Sequence, residues 1–444
     1  MKFQPLDRVA LTVSLFLTIA ILFLLWQGDK TVPRVREFSW HNQEINATDR
    51  MFMITFSRPM NQASVESNLK ITPKLSGKFS WAGRRMAFTL TEPIPYGQKF
   101  NLSLTNATDR FDQPDVFLTF NSQFSSPDRA FVYIGTRGEE AGRLVLHNFT
   151  QNCHKILTPN YQIVTDFRIY PDRGHILYSA MPRQAQANIL DQELFRVTTG
   201  IGNNIGQIEL VLDNKEYQIF KFDLSGDGKK IVVQRLSRSV QGSYGLWQIV
   251  DDKLTSLSQP PGGDFIIAPD HNSLAITQGE GVAILSLEEG AEPLDFLPKF
   301  GNILSFNQDG SQAAMIKFNK DFTRSLFLVN NQGKEQELIT INGSFLDSKF
   351  SFNGNLLYVL LTRVEQTPTT YQEHPYFGVI DIVAQKFSKL LDLTGQREVT
   401  VSLAPDNQAV LLSSKQSPIY QFTPGALEPL KPLDWWGKKP TWLP

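Results

Sequence analysis

Cysteine is almost missing: Cys153 stands alone in 444 residues, which excludes an internal disulfide framework. Net charge is also nearly absent, at −1. A nucleic-acid binder needs a basic footprint, so that class is excluded. Residues 31–125 sum to +3 and residues 126–444 to −5, too little to steer a charged partner strongly. Histidine is scarce, at positions 41, 147, 154, 175, 271 and 374, and no two have zinc-ligand spacing on one element. Cys153 and His154 are neighbours, so on a strand they point to opposite faces. There is no G-x-S-x-G elbow and no phosphate loop or dinucleotide fingerprint. Asp223-Leu224-Ser225-Gly226-Asp227-Gly228 has a faint calcium-loop look but lacks the terminal bidentate Glu. No catalytic, cofactor-binding or metal-ligating residue is assigned, no cofactor is expected, and the chain reads as a non-enzyme.

What is present begins with one apolar run. Val9 to Trp26 is uncharged. At about 1.5 Å per residue it reaches roughly 27 Å, close to a hydrocarbon core of about 30 Å. Trp26 stands where an interfacial aromatic belongs. A cleaved signal peptide is the alternative, but Leu24-Leu25-Trp26-Gln27-Gly28 offers no small-residue cleavage site. The expectation is an uncleaved transmembrane anchor in residues 1–30. Lys2 and Arg8 before it nearly balance Lys30, Arg34 and Arg36 after it. A short N-terminal tail favours the N-terminus inside, giving a single-pass inner-membrane protein with its bulk extracytoplasmic.

Residues 31–125 read as a small β domain. Met51–Phe56, Gly77–Trp81, Met86–Leu90, Lys99–Leu104 and Val116–Phe120 are short, β-prone and punctuated by Pro and Gly. This suggests a sandwich, with no helical pattern of useful length. The run Phe56-Ser57-Arg58-Pro59-Met60-Asn61, then Ser64-Val65, resembles the FS-x-PM signature of bacterial Ig-like domains of the SbsA type. Ile71-Thr72-Pro73, Gly77–Trp81, Pro93–Gln98 and Thr108–Asp112 continue that resemblance in order. Phe111-Asp112 departs from it, where the family has Gly after Asp. The resemblance implies a spacer or adhesive module.

Residues 126–444 repeat. Asp128, Asp172, Asp227, Asp270, Asp309, Asn353 and Asp406 each sit in a polar turn before an apolar strand, spaced by 44, 55, 43, 39, 44 and 53 residues. In such a turn Pro fixes φ, Asp bonds the local backbone and Gly accepts positive φ. A strand precedes the turn and two more follow, and four antiparallel strands per unit make a propeller blade. The pattern resembles the SPDG repeats of TolB-type propellers, with WD-repeat-like architecture. Seven blades are favoured and six are the alternative. Val116–Phe124 is wanted both by the sandwich and by the first blade, and cannot fully serve both.

Two segments, 181–217 and Val364–Pro375, read as insertions, which is where propellers place binding loops. Sequons at Asn46, Asn101, Asn106, Asn148 and Asn342 read as chance occurrences. The tail carries Trp435, Trp436 and Trp442. It is expected to pack across the ring seam near the first blade by aromatic contact rather than as a strand, because Pro432, Pro440 and Pro444 interrupt it. On that view, deleting Asp434–Pro444 costs several degrees of melting temperature, or about 1–2 kcal/mol. The class is all-β: anchor, Ig-like sandwich, propeller. The expected role is binding or scaffolding, with another envelope protein or a cell-wall polymer as partner, membrane contact through the N-terminal helix, and no nucleic acid. The alternative is an envelope hydrolase or lyase acting on cell-wall sugars or peptides at the propeller mouth.

Overall fold

The computed structural model describes residues 5–27, 32–110, 117–184, 186, 188–257, 262–288, 290–366, 370–424 and 430–444, with backbone alone at 5–8 and 24–27. The described chain is nearly all β. A helix, α1, runs Pro5–Gln27. Among the described residues no helix is long and apolar enough to cross a membrane. The expected transmembrane anchor is corrected accordingly. So is the placement that rested on it, a single-pass inner-membrane protein with N-terminus inside and an extracytoplasmic bulk. The side chains of Lys2, Trp26 and Lys30 lie outside the described residues.

Two compact units follow from the contacts. One comprises Met1–Glu44, Arg50–Thr91 and Lys99–Ser125. The other comprises Ile45–Asp49, Glu92–Gln98 and Ser126–Pro444.

In the first unit seven strands form two antiparallel sheets. They are β1 (Val35–Phe38), β2 (Met51–Phe56), β3 (Leu69–Thr72), β4 (Gly77–Ala82), β5 (Arg85–Leu90), β6 (Lys99–Leu104) and β7 (Phe120–Ser125), ordered β1-β2-β5-β4 and β3-β6-β7. In β2, Phe52, Ile54 and Phe56 are buried while Met51 and Met53 are exposed, the period-two signature of a strand with one wet face. Phe38 of the first sheet meets Phe124 of the second at 6.1 Å, and Phe124 stacks on Phe100 at 5.2 Å, so the two sheets share an aromatic core. One helix was not expected: α2, Gln62–Asn68, whose N-cap Asn61 accepts from the Ser64 amide at 3.1 Å. Asn at the N-cap and Ser after it are a start signal that strand-oriented reading passed over. The same run carries Arg58, which donates from Nη1 to Asp109 Oδ2 at 2.8 Å with both side chains buried. The Phe111-Asp112 part of the motif lies outside the described residues.

The second unit is a ring of seven four-stranded antiparallel sheets. Blade one contains β8 (Ala130–Gly135), β9 (Leu144–Asn148) and β10 (Cys153–Ile156). Blade two is β11 (Gln162–Ile169), β12 (His175–Pro182), β13 (Glu193–Thr198) and β14 (Ile208–Leu212). Blade three is β15 (Tyr217–Leu224), β16 (Lys230–Ser237), β17 (Tyr244–Val250) and β18 (Lys253–Leu257). Blade four is β19 (Phe265–Ile267), β20 (Ser273–Gln278), β21 (Gly281–Ser286) and β22 (Asp295–Leu297). Blade five is β23 (Asn302–Phe306), β24 (Gln312–Phe318), β25 (Arg324–Asn330) and β26 (Glu335–Ile341). Blade six is β27 (Phe345–Phe350), β28 (Leu356–Gln366), β29 (Tyr371–Asp381) and β30 (Lys386–Asp392). Blade seven is β31 (Thr400–Leu403), β32 (Val410–Ser414), β33 (Ser417–Phe422) and β34 (Lys431–Pro432). The last strand, β35 (Gly437–Trp442), returns to blade one as the neighbour of β8.

Seven apolar clusters, each built from two consecutive blades, hold the ring together. One joins blade seven to blade one through Ala409, Leu411, Phe131, Tyr133 and Trp442, so the ring is closed. A blade has two faces to bury, and only a neighbour on each side can cover both. The repeated turn works as its residues require. Asp172 accepts from the Gly174 and His175 amides, and Asp270 from those of Asn272 and Ser273. The residue after the Asp or Asn takes φ of +59, +74, +62, +72, +71 and +56° at Arg173, Gly228, His271, Gly310, Gly354 and Asn407. Glycine is thus convenient there and not obligatory.

Three expectations change. The tail is a strand: β35 pairs with β8 from Gly437↔Gly135 to Trp442↔Phe131, with a register shift between Lys438 and Thr441. Pro440 falls in that shift, where a missing amide costs no ladder bond. Residues 181–217 are largely no insertion, since they contain β13 and β14. Most of Val364–Pro375 is likewise the end of the long β28–β29 hairpin, paired out to Gln366↔Tyr371; residues 367–369 lie outside the described residues. Phe120–Ser125 belongs to the sandwich, paired with β6, and β35 supplies the strand that blade one would lack.

Candidate functional site

The first strands of blades two to seven touch one after another, and β31 of blade seven touches β35 of blade one, so these strands line the ring's axis. Four of them, β11, β15, β23 and β27, carry a register shift early in the strand, at Thr165, Phe220, Leu304 and Leu346. β35 has its shift at Lys439-Pro440. An extra residue bends the strand and re-aims the side chains beyond it.

Beyond the shifts, charged residues meet across blades. Lys439 Nζ donates to Asp166 Oδ1 at 3.0 Å, and Asp166 Oδ2 accepts from Arg168 Nη1 at 3.3 Å. Arg168 Nε donates to Asp223 Oδ1 at 2.8 Å, and Asp223 Oδ2 accepts the Ile267 amide at 3.0 Å. Lys221 pairs with Asp264. Burial pushes the Lys221 ammonium down to about 8; Asp223 and Asp166 resist that fall, while Arg168 and Lys439 add to it. Burial also raises the Asp166 carboxyl, but Arg168 and Lys439 outweigh it and hold it below the ordinary carboxylate range. Three cations and three carboxylates so neutralise one another along blades one to four. Chemically this is a polar clamp: each carboxylate that could serve as acid or base is already engaged by a cation.

The end of the ring where these strands begin is also apolar. Connections at that end join the second to the third strand of a blade, and the fourth strand to the next blade. They and the strand ends beside them carry exposed Tyr161, Ile189, Val240, Phe318, Phe322 and Tyr371, with Phe322 at 92% exposure. Phe220 and Leu346, the extra residues of two shifts, are exposed as well. The connections at the opposite end carry Ile205, Leu294 and Val383.

The tail tryptophans lie at the seam between blades seven and one. Trp442 is buried, and Trp435 lies 3.8 Å from the His147 ring and 5.8 Å from His154. Trp436 lies under the Arg137 guanidinium at 3.0 Å. His147 and His154 are cross-strand partners on β9 and β10. A search for zinc spacing within one element misses them, because a hairpin pairs residues placed symmetrically about its turn. His154 Nε2 is 2.6 Å from Glu140 Oε1, and Glu140 Oε2 accepts the Tyr133 hydroxyl at 2.8 Å. Among the described residues no group of three or more His, Cys, Asp or Glu could hold a metal ion. In the loop with a calcium look, Asp223 belongs to the clamp and Asp227 Oδ1 accepts the Ser225 hydroxyl at 2.7 Å.

Burial pushes His147 down to about 4, and His154 adds to the fall. An unfolded histidine titrates near 6.5, so unfolding takes up a proton below that pH. The stability from a neutral His147 is complete above about 6.5 and is lost as pH falls toward about 4. The propeller's melting temperature is therefore expected to drop across that window, and His147→Phe to flatten the drop. Equal slopes in the two proteins would exclude His147 as the group responsible.

Sequence reading placed nothing at the clamp. The available signal was a charged pair at i, i+2 within otherwise apolar strands, Asp166 with Arg168 and Lys221 with Asp223, 55 residues apart.

No family model matches the chain, and no curated protein matches it. The resemblance of residues 32–124 to SbsA-type Ig-like domains therefore finds no support. Solved structures similar to the chain include oligogalacturonate lyase from Vibrio parahaemolyticus, with TM-score 0.48 and 13% identity over 65% of this chain and 87% of that one. TolB from Acinetobacter baumannii gives TM-score 0.43 and 12% identity over 85% of this chain and 83% of that one. Both are β-propeller folds, and at these values neither protein's activity passes to this chain.

Proposed function

We propose that the chain is a binding protein that docks a protein partner on the end of the propeller where the axial strands begin. The observation behind this reading is the exposed apolar set Tyr161, Ile189, Val240, Phe318, Phe322 and Tyr371, gathered on the connections at that end and the strand ends beside them. Large apolar side chains grouped on one face of a folded protein mark interaction surfaces. The closed ring of four-stranded blades gives these residues a rigid mount. Loops mounted on such a scaffold are where binding residues concentrate.

A photo-crosslinking amino acid placed at Phe322 tests the reading in the native cell, with the same group at Val383 as the control on the opposite end. A discrete adduct is expected from position 322 and none from 383. Equal labelling from both ends, or no adduct from 322, would refute it.

A further inference from the structure

Arg235 lies on β16 and is 5% exposed. Its Nε has no hydrogen-bond partner, and its guanidinium makes no ion pair among the described residues. What surrounds it is aromatic. Its Cζ lies 4.3 Å from the Tyr217 ring centroid and 5.2 Å from that of Trp247. The two rings stand 5.1 Å apart at 61°. Gly245 is the residue directly across from Arg235 on β17. A Cβ there would lie in ordinary contact with the Trp247 ring, at 3.4 Å.

This arrangement is costly as it stands. A buried cation needs a partner, and two ring faces repay only part of the cost of burying it. Burial pushes the Arg235 guanidinium down, against the pull of Tyr217, Asp213 and Glu216. Those two carboxylates act from beyond ion-pair distance. The place is a boundary: Ile231 and Val233, on the same side of β16, pack against Leu177 and Leu194 of blade two. Tyr217 and Trp247 are only half-buried, so the aromatic walls reach solvent.

We propose that Arg235, Tyr217 and Trp247 form a binding site for a singly charged carboxylate ligand at the boundary between blades two and three. One fork-shaped guanidinium matches one carboxylate, with two parallel N–H donors. Asp213 and Glu216 repel a doubly charged phosphate or sulfate more strongly than a monoanion. The two rings suit a flat or apolar carbon skeleton behind the carboxylate. This site does not depend on the partner surface above.

Sodium benzoate is the probe, with benzamide as its uncharged analogue and inorganic phosphate as the dianion, titrated into the full chain while tryptophan fluorescence is followed. Benzoate is expected to give a saturable change in the millimolar range of a fragment-sized ligand. Benzamide and phosphate are expected to give none. Arg235→Met should weaken benzoate at least tenfold, and Arg235→Lys, which keeps the charge but loses the fork, should fall between. Arg235→Met removes an unpaired buried charge, so its fold should persist, as near-ultraviolet circular dichroism would verify; if it does not, the Arg235→Lys titration decides. A response unchanged by the substitutions, an equal response to benzamide, or no saturable response in the unsubstituted chain would overturn the assignment.

Discussion

Deleting Gly437–Pro444 is expected to lower the propeller's melting temperature by roughly 10–20 °C, or to abolish its cooperative transition. The deletion removes Trp442 at 5% exposure and Leu443 at 1%. Each such side chain is worth about 2–5 kcal/mol, so the pair contributes on the order of 5 kcal/mol, and a kilocalorie shifts a domain of this size by about 2–4 °C. The β8 edge is then stripped of the pairing that runs from Gly437↔Gly135 to Trp442↔Phe131, and an unpaired edge invites association. A tail lying loosely across the surface would cost only several degrees, so the size of the drop separates a buried closing strand from a surface wrap. Calorimetry of the truncated chain measures it, and a synthetic peptide of residues 434–444 added in trans should restore part of the loss. An unchanged transition would mean that β35 contributes nothing to closure.

Arg58→Ala should unfold the sandwich under conditions where the unsubstituted chain is stable. Arg58 and Asp109 are both buried and bond at 2.8 Å. Removing the cation breaks a buried ion pair, which costs about 3–5 kcal/mol, much of the stability of a small domain at about 5–15 kcal/mol. The geometry around the pair depends on it: Asn61 N bonds Thr108 O at 3.0 Å, and Arg110 N bonds Pro59 O at 3.2 Å. Replacing both partners together, Arg58→Met with Asp109→Leu, should recover most of the loss, because the buried charge is then gone. Urea unfolding of the full chain distinguishes these cases. If the single and double substitutions are equally damaging, packing at this point matters and the charge does not.

How much of this was readable beforehand follows the range of each interaction. The blade turns were legible because the reason for each residue is local: Asp172 bonds amides two and three residues on. The seven-fold ring followed from those turns and their spacing. Arg58 and Asp109 were both visible as motif residues, yet nothing in either run says that they meet across 51 positions. The clamp was illegible for the same reason, since Lys439 reaches Asp166 across 273 positions. Segment 181–217 misled because its strands, with the exposed Ile208 and Leu210 of β14, sit amid polar residues, and an outermost strand with one wet face carries a weak pattern. The tail misled through its prolines, because a register shift removes the very bond that proline cannot make. The anchor expected at Val9–Trp26 rested on hydropathy alone, and among the described residues no helix is long and apolar enough to cross a membrane.

Blade one is assembled from the two ends of the propeller's chain: β8 starts at Ala130 and its partner β35 ends at Trp442. During synthesis at about 5–20 residues per second, roughly 15–60 s pass between the emergence of one and the other. For that interval six blades can form while the first keeps a bare edge, and the slowest contact to form is also the one that completes the core between blades seven and one. Ribosomes that stop between Pro432 and Gly437 therefore release a chain that has its blades and lacks its closure. Such products are expected to be the ones that proteases and chaperones capture, and a tag fused directly after Pro444 delays the same event. Closure of the ring therefore waits for Gly437–Trp442, however early the other blades are made.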